Sequence, residues 1–343
     1  MRAAQLDKAG DPIRIVDVPE PTASAGQVLI KVAAVGVCHS DLAIQAQIPG
    51  MPPVRHFPLI LGHEITGYVH ALGEGVTGFE IGDAVGVWPG WGDRTCVVCR
   101  SGYEHLCPNI QFPGVVIDGG WADFMLIPHA DYLIPLGDLD PIVAAPLTDA
   151  GLTSFGAVSK ILPLLTNADT SVIVIGAGGL GQFAIKYFKA LTPTKVIALD
   201  IEESKRANAL VIGADHAFDS TEEDIADKIR EVTTDKLGVT AVLDFVGIDD
   251  TLTLAANVVI PRGRVTLVGI NGGSLPFAYG STQQEVQLST STLGTREDFA
   301  EVIRLARENG INVNTTHFDL EDVNQALADL ASHKIPERAV LIL

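Results

Sequence analysis

The sequence predicts an α/β protein of two domains, a β-rich first part followed by a doubly wound parallel sheet. Three observations carry this. A chain of 343 residues exceeds one ordinary domain. Up to about residue 150, short apolar runs alternate with Gly- and Pro-rich turns, the texture of a small barrel with long loops. Beyond Asp149, apolar runs alternate with segments of helical spacing, as in a parallel sheet covered by helices.

Taken in order, QVLIKV at 27–32, GYVHAL at 67–72 and GDAVGV at 82–87 read as strands. Helical spacing runs over 150–160. SVIVIG at 171–176 is a continuous apolar run, suited to a strand buried on both faces. A helix at 180–190, a strand at 195–200, helices at 203–212 and 225–231, a strand at 241–245, a helix at 252–258 and a strand at 264–269 follow. The tail holds a helix at 297–308, then short strands ending in 340–343, and is expected to rejoin the first domain. The expected division is therefore 1–150 completed by 296–343, with 151–295 as the second domain.

Apolar residues make up 47% and charged residues 19% of the chain, which excludes disorder by charge excess. Lys and Arg total 23 against 42 Asp and Glu, a net charge of −19 that repels nucleic acid and anionic membranes. Residues 1–11 lack the apolar core of a signal peptide. The uncharged stretch 265–284 contains Asn271, several glycines, Pro276 and two glutamines, so it reads as buried strand plus loop and not as a membrane span. Four cysteines are too few for a disulfide scaffold. A soluble, cytoplasmic protein is expected.

Gly176, Gly178 and Gly181 of GAGGLG, with Gly179 and Leu180 between them, fit G-x-G-x-x-G. The pattern is weak in a chain with 34 glycines, but here it follows a buried strand and opens a helix. Its glycines permit a tight turn and let the backbone approach a pyrophosphate at the positive helix end. Asp200 ends the next apolar strand, 19 residues beyond Gly181. A carboxylate there accepts both ribose hydroxyls of NAD and repels the extra phosphate of NADP. Lys205 and Arg206 are basic groups placed to meet such a phosphate if the segment folds back, although Glu202 and Glu203 stand between them and the strand end. The alternative is an ordinary glycine-rich turn.

Asp93, Cys96, Cys99 and Cys107 are spaced 3, 3 and 8. Thiols so close in a cytosolic chain suit zinc, which takes four ligands and accepts carboxylate oxygen beside sulfur. A site without a free coordination position is structural. Cys38, in CHSD, and His63, in GHE, each follow an apolar run and offer a thiolate and an imidazole. Spacing does not join these two, and taken alone each also reads as an ordinary core or turn residue.

At GHE (62–64), the Cys loop at 93–107, GAGGLG (176–181) and Gly294-Thr295-Arg296, the chain resembles the zinc-dependent medium-chain alcohol dehydrogenases over nearly its whole length. The resemblance implies a GroES-like catalytic domain and a Rossmann coenzyme domain. It implies a catalytic zinc held by Cys38, His63 and Asp149, with Glu64 as a conditional fourth ligand, beside a structural zinc. Asp149 stands where most relatives carry Cys, as in a subgroup of bacterial secondary-alcohol dehydrogenases; an N-cap for the helix that follows is its other reading. Asp93 replaces the first structural Cys. Ala43 stands where many relatives carry the His that ends a proton relay, and His39 is the nearest replacement.

The mechanism so implied is reversible alcohol oxidation by hydride transfer to NAD, with zinc as Lewis acid. Ser40 relays the alcohol proton through the nicotinamide ribose to His39. By the same resemblance Thr153, Val246, Val268, Gly269, Ile270, Leu293, Gly294 and Arg296 flank the coenzyme, Lys205 lies near it, and Arg338 contacts its phosphates. Trp88, Trp91, Ile270 and Leu293 are apolar candidates for a substrate wall, or plain core. A small alcohol or ketone is the expected partner, and a homo-oligomer, dimer or tetramer, the expected assembly. A zinc polyol or sugar dehydrogenase is the alternative, a catalytically silent NAD sensor the more distant one.

Overall fold

The computed structural model describes residues 1–47, 54 and 56–343, and the elements named below are those of the described residues. Contacts divide the chain into two compact units, Met1–Leu152 with Gly294–Leu343, and Thr153–Leu293. The divides thus fall after Leu152 and Leu293, two residues from the positions expected. Packing explains the shift, since a Cβ built at Gly294 would lie 2.6 Å from Leu152 Cδ1, so these two residues belong to the same core.

The first unit holds β1 (Arg2–Leu6), β2 (Arg14–Asp17), β3 (Val28–Val37), α1 (His39–Ala46), β4 (Leu59–Ile60), β5 (Glu64–Leu72), β6 (Ala84–Val87), α2 (Val97–Arg100), β7 (Phe124–Ile127), β8 (Leu133–Pro135) and α3 (Pro141–Ala144). The chain leaves it along α4 (Ala150–Ser159). The second unit holds β9 (Ser171–Ile175), α5 (Gly181–Leu191), β10 (Lys195–Leu199), α6 (Glu203–Val211), β11 (His216–Phe218), α7 (Ile225–Glu231), β12 (Val239–Asp244), α8 (Asp249–Val258), β13 (Val259–Leu267) and β14 (Gln287–Thr290). The returning chain adds α9 (Arg296–Asn309), β15 (Thr315–Asp319), α10 (Val323–Ala331) and β16 (Arg338–Ile342) to the first unit.

The main sheet of the first unit runs β15-β16-β3-β5-β6-β8, with β7 pairing β3. β3 is its centre, and all but two of its ten residues are buried, as a strand covered on both faces requires. β5 and β16 flank it antiparallel, with Gly36 opposite Glu64 and Val37 opposite Ala339. That register brings the end of β3, the start of β5 and the start of β16 to one sheet edge. Cys38, His63 with Glu64, and Arg338 are the residues at those three ends. Gly36 serves this arrangement, because a Cβ there would lie 1.8 Å from Glu64 Oε2. A second sheet, β2-β1-β4, is antiparallel.

In the second unit the strand order is β11-β10-β9-β12-β13-β14 and every pairing is parallel. Numbered within the unit this is 3-2-1-4-5-6, the doubly wound order of dinucleotide-binding sheets. β9 is buried at all five residues, and Ile173, Ile175, Ile197, Leu199 and Val242 pack against Ile225, Ile229 and Val258 of the helices. The uncharged stretch 265–284 leaves the sheet at Leu267 and continues as a loop in which Phe277 and Tyr279 are exposed. No single helix among the described residues is long and apolar enough to cross a membrane.

Candidate metal and coenzyme sites

Cys38, His63, Glu64 and Asp149 converge at the shared sheet edge, each offering a ligand atom within 4.8 Å of the others. Donors around a tetrahedral zinc stand about 3.3–3.8 Å apart, so the cluster needs only a small contraction to close on an ion. Cys38, His63 and Glu64 are buried, and Asp149 is nearly so. Asp149 stands between a single turn at 145–148 and the start of α4. Its Oδ2 is 3.8 Å from His63 Nε2 and equally far from Arg338 Nη2.

One residue not read from the sequence completes this site. Asp41, wholly buried, places Oδ1 3.2 Å from His63 Nδ1, and its Oδ2 accepts from the Cys38 backbone N–H at 2.8 Å. A carboxylate behind a ligating imidazole fixes ring orientation and leaves the other nitrogen free for a metal. The spacing C-x-x-D, which caps α1, is the signal that would have found it.

Charges here are arranged for an ion. Burial alone pushes the Cys38 thiol up, but the Arg338 guanidinium and the His63 ring offset this and bring it down to about 7. Burial disfavours the His63 imidazolium, yet Asp41 and Cys38 hold its pKa well above the usual value. Arg338, expected to meet phosphate, is buried and pairs with Glu64 through Nη2, while its Nε donates to Glu64 Oε2 at 3.0 Å. In this structure the guanidinium neutralises carboxylates of the metal cluster. Ser40 Oγ is 3.6 Å from Cys38 Sγ. His39 is exposed on the first turn of α1, its ring centroid 6.5 Å from that of His333.

Asp93, Cys96, Cys99 and Cys107 form a second cluster. Backbone N–H groups preset its donors: Cys99 N–H points at Cys96 Sγ (3.4 Å), and the N–H groups of Asp93 and Asn109 point at Cys107 Sγ (3.4 and 3.3 Å). The Asn109 amide donates to Asp93 Oδ2 at 2.8 Å, and this contact, with the N–H groups of Thr95 and Cys96, holds the Asp93 carboxyl well below the usual range. Burial pushes the Cys99 thiol up to about 12, which a cation in the cluster would reverse. Both donor sets suit zinc.

At the carboxyl end of β9, Gly176 takes φ +85°, and a Cβ at Gly181 would lie 1.9 Å from Gly176 O. Gly178, by contrast, faces open space. Two glycines therefore build the turn, and the third leaves a cradle for a ligand against the start of α5, which Leu180 opens without a side-chain cap. Asp200, just past β10, accepts from the Ala177 N–H at 2.8 Å, tying strand end to glycine turn. Lys205 is paired with Glu202 at 2.6 Å, and Arg206 bonds Asp219 and the carbonyls of Asp200 and Ile201. Neither cation lies open to a phosphate. Val246, Val268, Gly269 and Ile270 gather at the ends of β12 and β13, where the N–H groups of Val268 and Gly269 donate to Asp244 O. Ile270 is exposed, whereas Leu293 is buried at φ +48°. Thr153 is buried on α4.

Comparison with known proteins decides the family. The model of the alcohol dehydrogenase GroES-like domain matches residues 24–138, and that of the zinc-binding dehydrogenases matches 179–308. An NAD-dependent alcohol dehydrogenase of Sulfurisphaera tokodaii is 36% identical over the whole of both chains. The chain belongs to the zinc-dependent medium-chain alcohol dehydrogenases. An alcohol dehydrogenase structure from Aeropyrum pernix superposes on this dehydrogenase with a TM-score of 0.89 at 35% identity, covering both chains completely. A D-arabinose 1-dehydrogenase (NADP(+)) of Saccharolobus solfataricus is 33% identical over 99% of this chain and 97% of its own. The dehydrogenase is thus a zinc-binding oxidoreductase with the GroES-like and Rossmann-type parts that the motifs announced. Its Trp88 and Trp91 are buried, and their indoles donate to Gly294 O (3.0 Å) and Trp88 O (2.6 Å), so within their own unit they act as core.

Proposed function

We propose that this dehydrogenase oxidises small uncharged alcohols, with secondary alcohols and their ketones preferred, and uses NAD rather than NADP. The observation that carries the reading is the buried cluster of Cys38, His63, Asp149 and Glu64, a soft-and-hard donor set suited to a catalytic zinc. Bound there, zinc supplies a Lewis acid that acidifies an alcohol or polarises a ketone. Cys38, His63 and Asp149 hold the ion. Glu64, paired with Arg338, would be the conditional fourth ligand. Ser40, in contact with the Cys38 sulfur, takes the alcohol proton and passes it outward, and the exposed His39 releases it. The second cluster holds a structural zinc.

In the coenzyme part, the turn 176–181 cradles the pyrophosphate and Asp200 receives the adenosine ribose. Thr153, Val246, Val268, Gly269, Ile270, Leu293 and Gly294 line the rest of the coenzyme. The pairing of Lys205 and Arg206 with acidic groups and carbonyls supports NAD, because each of these two cations would have to leave its partner to receive a 2′-phosphate.

The test is metal content per subunit together with NADH formation over a panel of secondary, primary and cyclic alcohols, polyols and aldoses. Two metals and the highest kcat/KM on a simple secondary alcohol are expected. The likeness to a D-arabinose dehydrogenase keeps sugar oxidation as the second reading, and polyols or aldoses beating secondary alcohols would establish it instead. We further assign the protein to the cytoplasm, since its four cysteines all belong to the two proposed zinc sites and not to disulfides, and to a homo-oligomer. All four residues of the edge strand β14 are exposed, as are Phe277 and Tyr279 earlier in the chain, and an exposed edge is one that a second copy would cover. Light scattering that returns a monomer would refute that assembly.

A further inference from the structure

Between the ligands Cys99 and Cys107 of the second cluster stands Glu104, which is 5% exposed. A buried carboxylate is costly without a partner. Its hydrogen-bonded partner comes from 192 residues away, where Arg296 Nη2 donates to Glu104 Oε1 at 2.9 Å, while Arg94 Nε lies 4.0 Å from Glu104 Oε2. Arg296 opens α9, lies 5.9 Å from the Trp88 ring centroid and places Nη1 3.5 Å from Asp131 Oδ2. Arg94, adjacent to the ligand Asp93, reaches the same Asp131 at 2.5 Å.

The segment so gripped is Gly294-Thr295-Arg296. Gly294 O accepts from Trp88 Nε1 at 3.0 Å, and Leu152 leaves no room for a side chain at 294. Thr295 caps α9 reciprocally with Asp298 at 2.8 and 3.0 Å. The turn is therefore held from α9 on one side and from the metal lobe on the other.

A lobe that served only to stabilise the fold would not need this ion pair, since apolar residues of similar volume serve stability as well or better. What a charged pair adds, with Glu104 buried and Arg296 partly exposed, is a fixed position for both partners. We propose that the lobe positions the 294–296 turn through Glu104 and Arg296, and that metal binding at the lobe thereby sets affinity for the coenzyme. This rests on the reading that Gly294 flanks the coenzyme. Glu104 is then a positioning residue: it touches neither coenzyme nor catalytic metal, and acts through Arg296. The lobe metal fixes Cys99 and Cys107, these fix the turn of chain bearing Glu104, and its carboxylate fixes Arg296.

The test uses the zinc-loaded full-length enzyme, with NADH binding read by fluorescence titration beside kcat, KM for NAD, metal content and Tm. Glu104→Gln keeps the shape and removes the charge. It is expected to weaken NADH about tenfold, a coupling of ordinary size for residues that contact no ligand. KM for NAD should rise with the dissociation constant, kcat should change less, and Glu104→Asp should restore part of the affinity. Cys99→Ser should weaken NADH comparably, and combining it with Glu104→Gln should add little, because both act through one route. Unchanged NADH affinity in a folded Glu104→Gln enzyme, or additive losses in the double variant, would overturn the proposal. If Glu104→Gln does not fold, Glu104→Met, which removes the charge with an apolar side chain of similar volume, carries the same test with the same outcomes. Wild-type enzyme that binds no NADH would instead refute the coenzyme reading itself, and this inference with it.

Discussion

Asp41 Oδ1 lies 3.2 Å from His63 Nδ1, and neither side chain reaches solvent. The carboxylate therefore governs which face and which nitrogen of the imidazole meet the metal. Asp41→Ala is expected to lower affinity for the catalytic metal by about 10–100-fold, the usual effect of losing such a partner. Asp41→Asn should lose less, since its amide oxygen still accepts. Zinc competition against a chelator measures both, and wild-type affinity in Asp41→Ala would show that His63 is oriented by other means.

The two clusters should answer differently to mutation. Cys38→Ala or His63→Ala is expected to abolish turnover with Tm little changed. Cys99→Ala should lower Tm, because a structural zinc contributes directly to folding. Thermal melts paired with metal analysis distinguish these, and activity retained by Cys38→Ala would sink the catalytic assignment.

Asp149 combines a position just before α4 with a carboxylate 3.8 Å from His63 Nε2. Asp149→Asn keeps the capping capacity of the residue but weakens an anionic ligand. Large losses of rate and catalytic zinc with nearly unchanged Tm are expected. Full zinc content and rate would leave Asp149 a cap and nothing more.

Gly36→Ala would place a methyl group 1.8 Å from Glu64 Oε2. Overpacking of a buried site costs about 1–3 kcal/mol, so denaturant melts should show a loss of that size. Because Glu64 is the side chain displaced, its pairing with Arg338 should be disturbed too, and catalytic zinc content should change in the folded variant. A stability equal to wild type would mean that the strand edge yields more easily than this packing implies.

Asp200 does two things, facing the expected ribose position and holding the Ala177 N–H. Asp200→Ala should therefore raise the NADP/NAD ratio of kcat/KM by on the order of a hundredfold, mainly through weaker NAD use. Lys205 and Arg206 must break their pairs with Glu202 and Asp219 before they assist a phosphate, which limits the gain for NADP. Comparable use of both coenzymes by the wild type would remove the premise.

Local pattern was enough for much of this molecule. A continuous apolar run such as 171–175 is buried on both faces in any parallel sheet, and alternation of such runs with helical spacing leaves little choice of fold. GAGGLG declared itself because its chemistry is contiguous: strand, turn and helix start are neighbours along the chain. The lobe of Asp93, Cys96, Cys99 and Cys107 was legible for the same reason. The short helix α1 was not read, since it begins at once after β3 and is held there by the Cys38–Asp41 cap.

Other features required the tertiary structure. Nothing in the spacing joins Cys38, His63 and Asp149; family resemblance suggested the set, and the antiparallel register of β3 with β5 brings the first two to one edge. The same sheet turns Arg338, on a strand contributed by the last residues of the chain, toward Glu64 and Asp149. Which partner a long cation meets depends on the nearest buried carboxylate, and burial is a property of the folded chain. Sequence by itself determined the kinds of ligand and the two folds that carry them. Pairing across 192 residues, as between Glu104 and Arg296, was decided only by packing, because a buried charge must find its counter-charge wherever the fold supplies one.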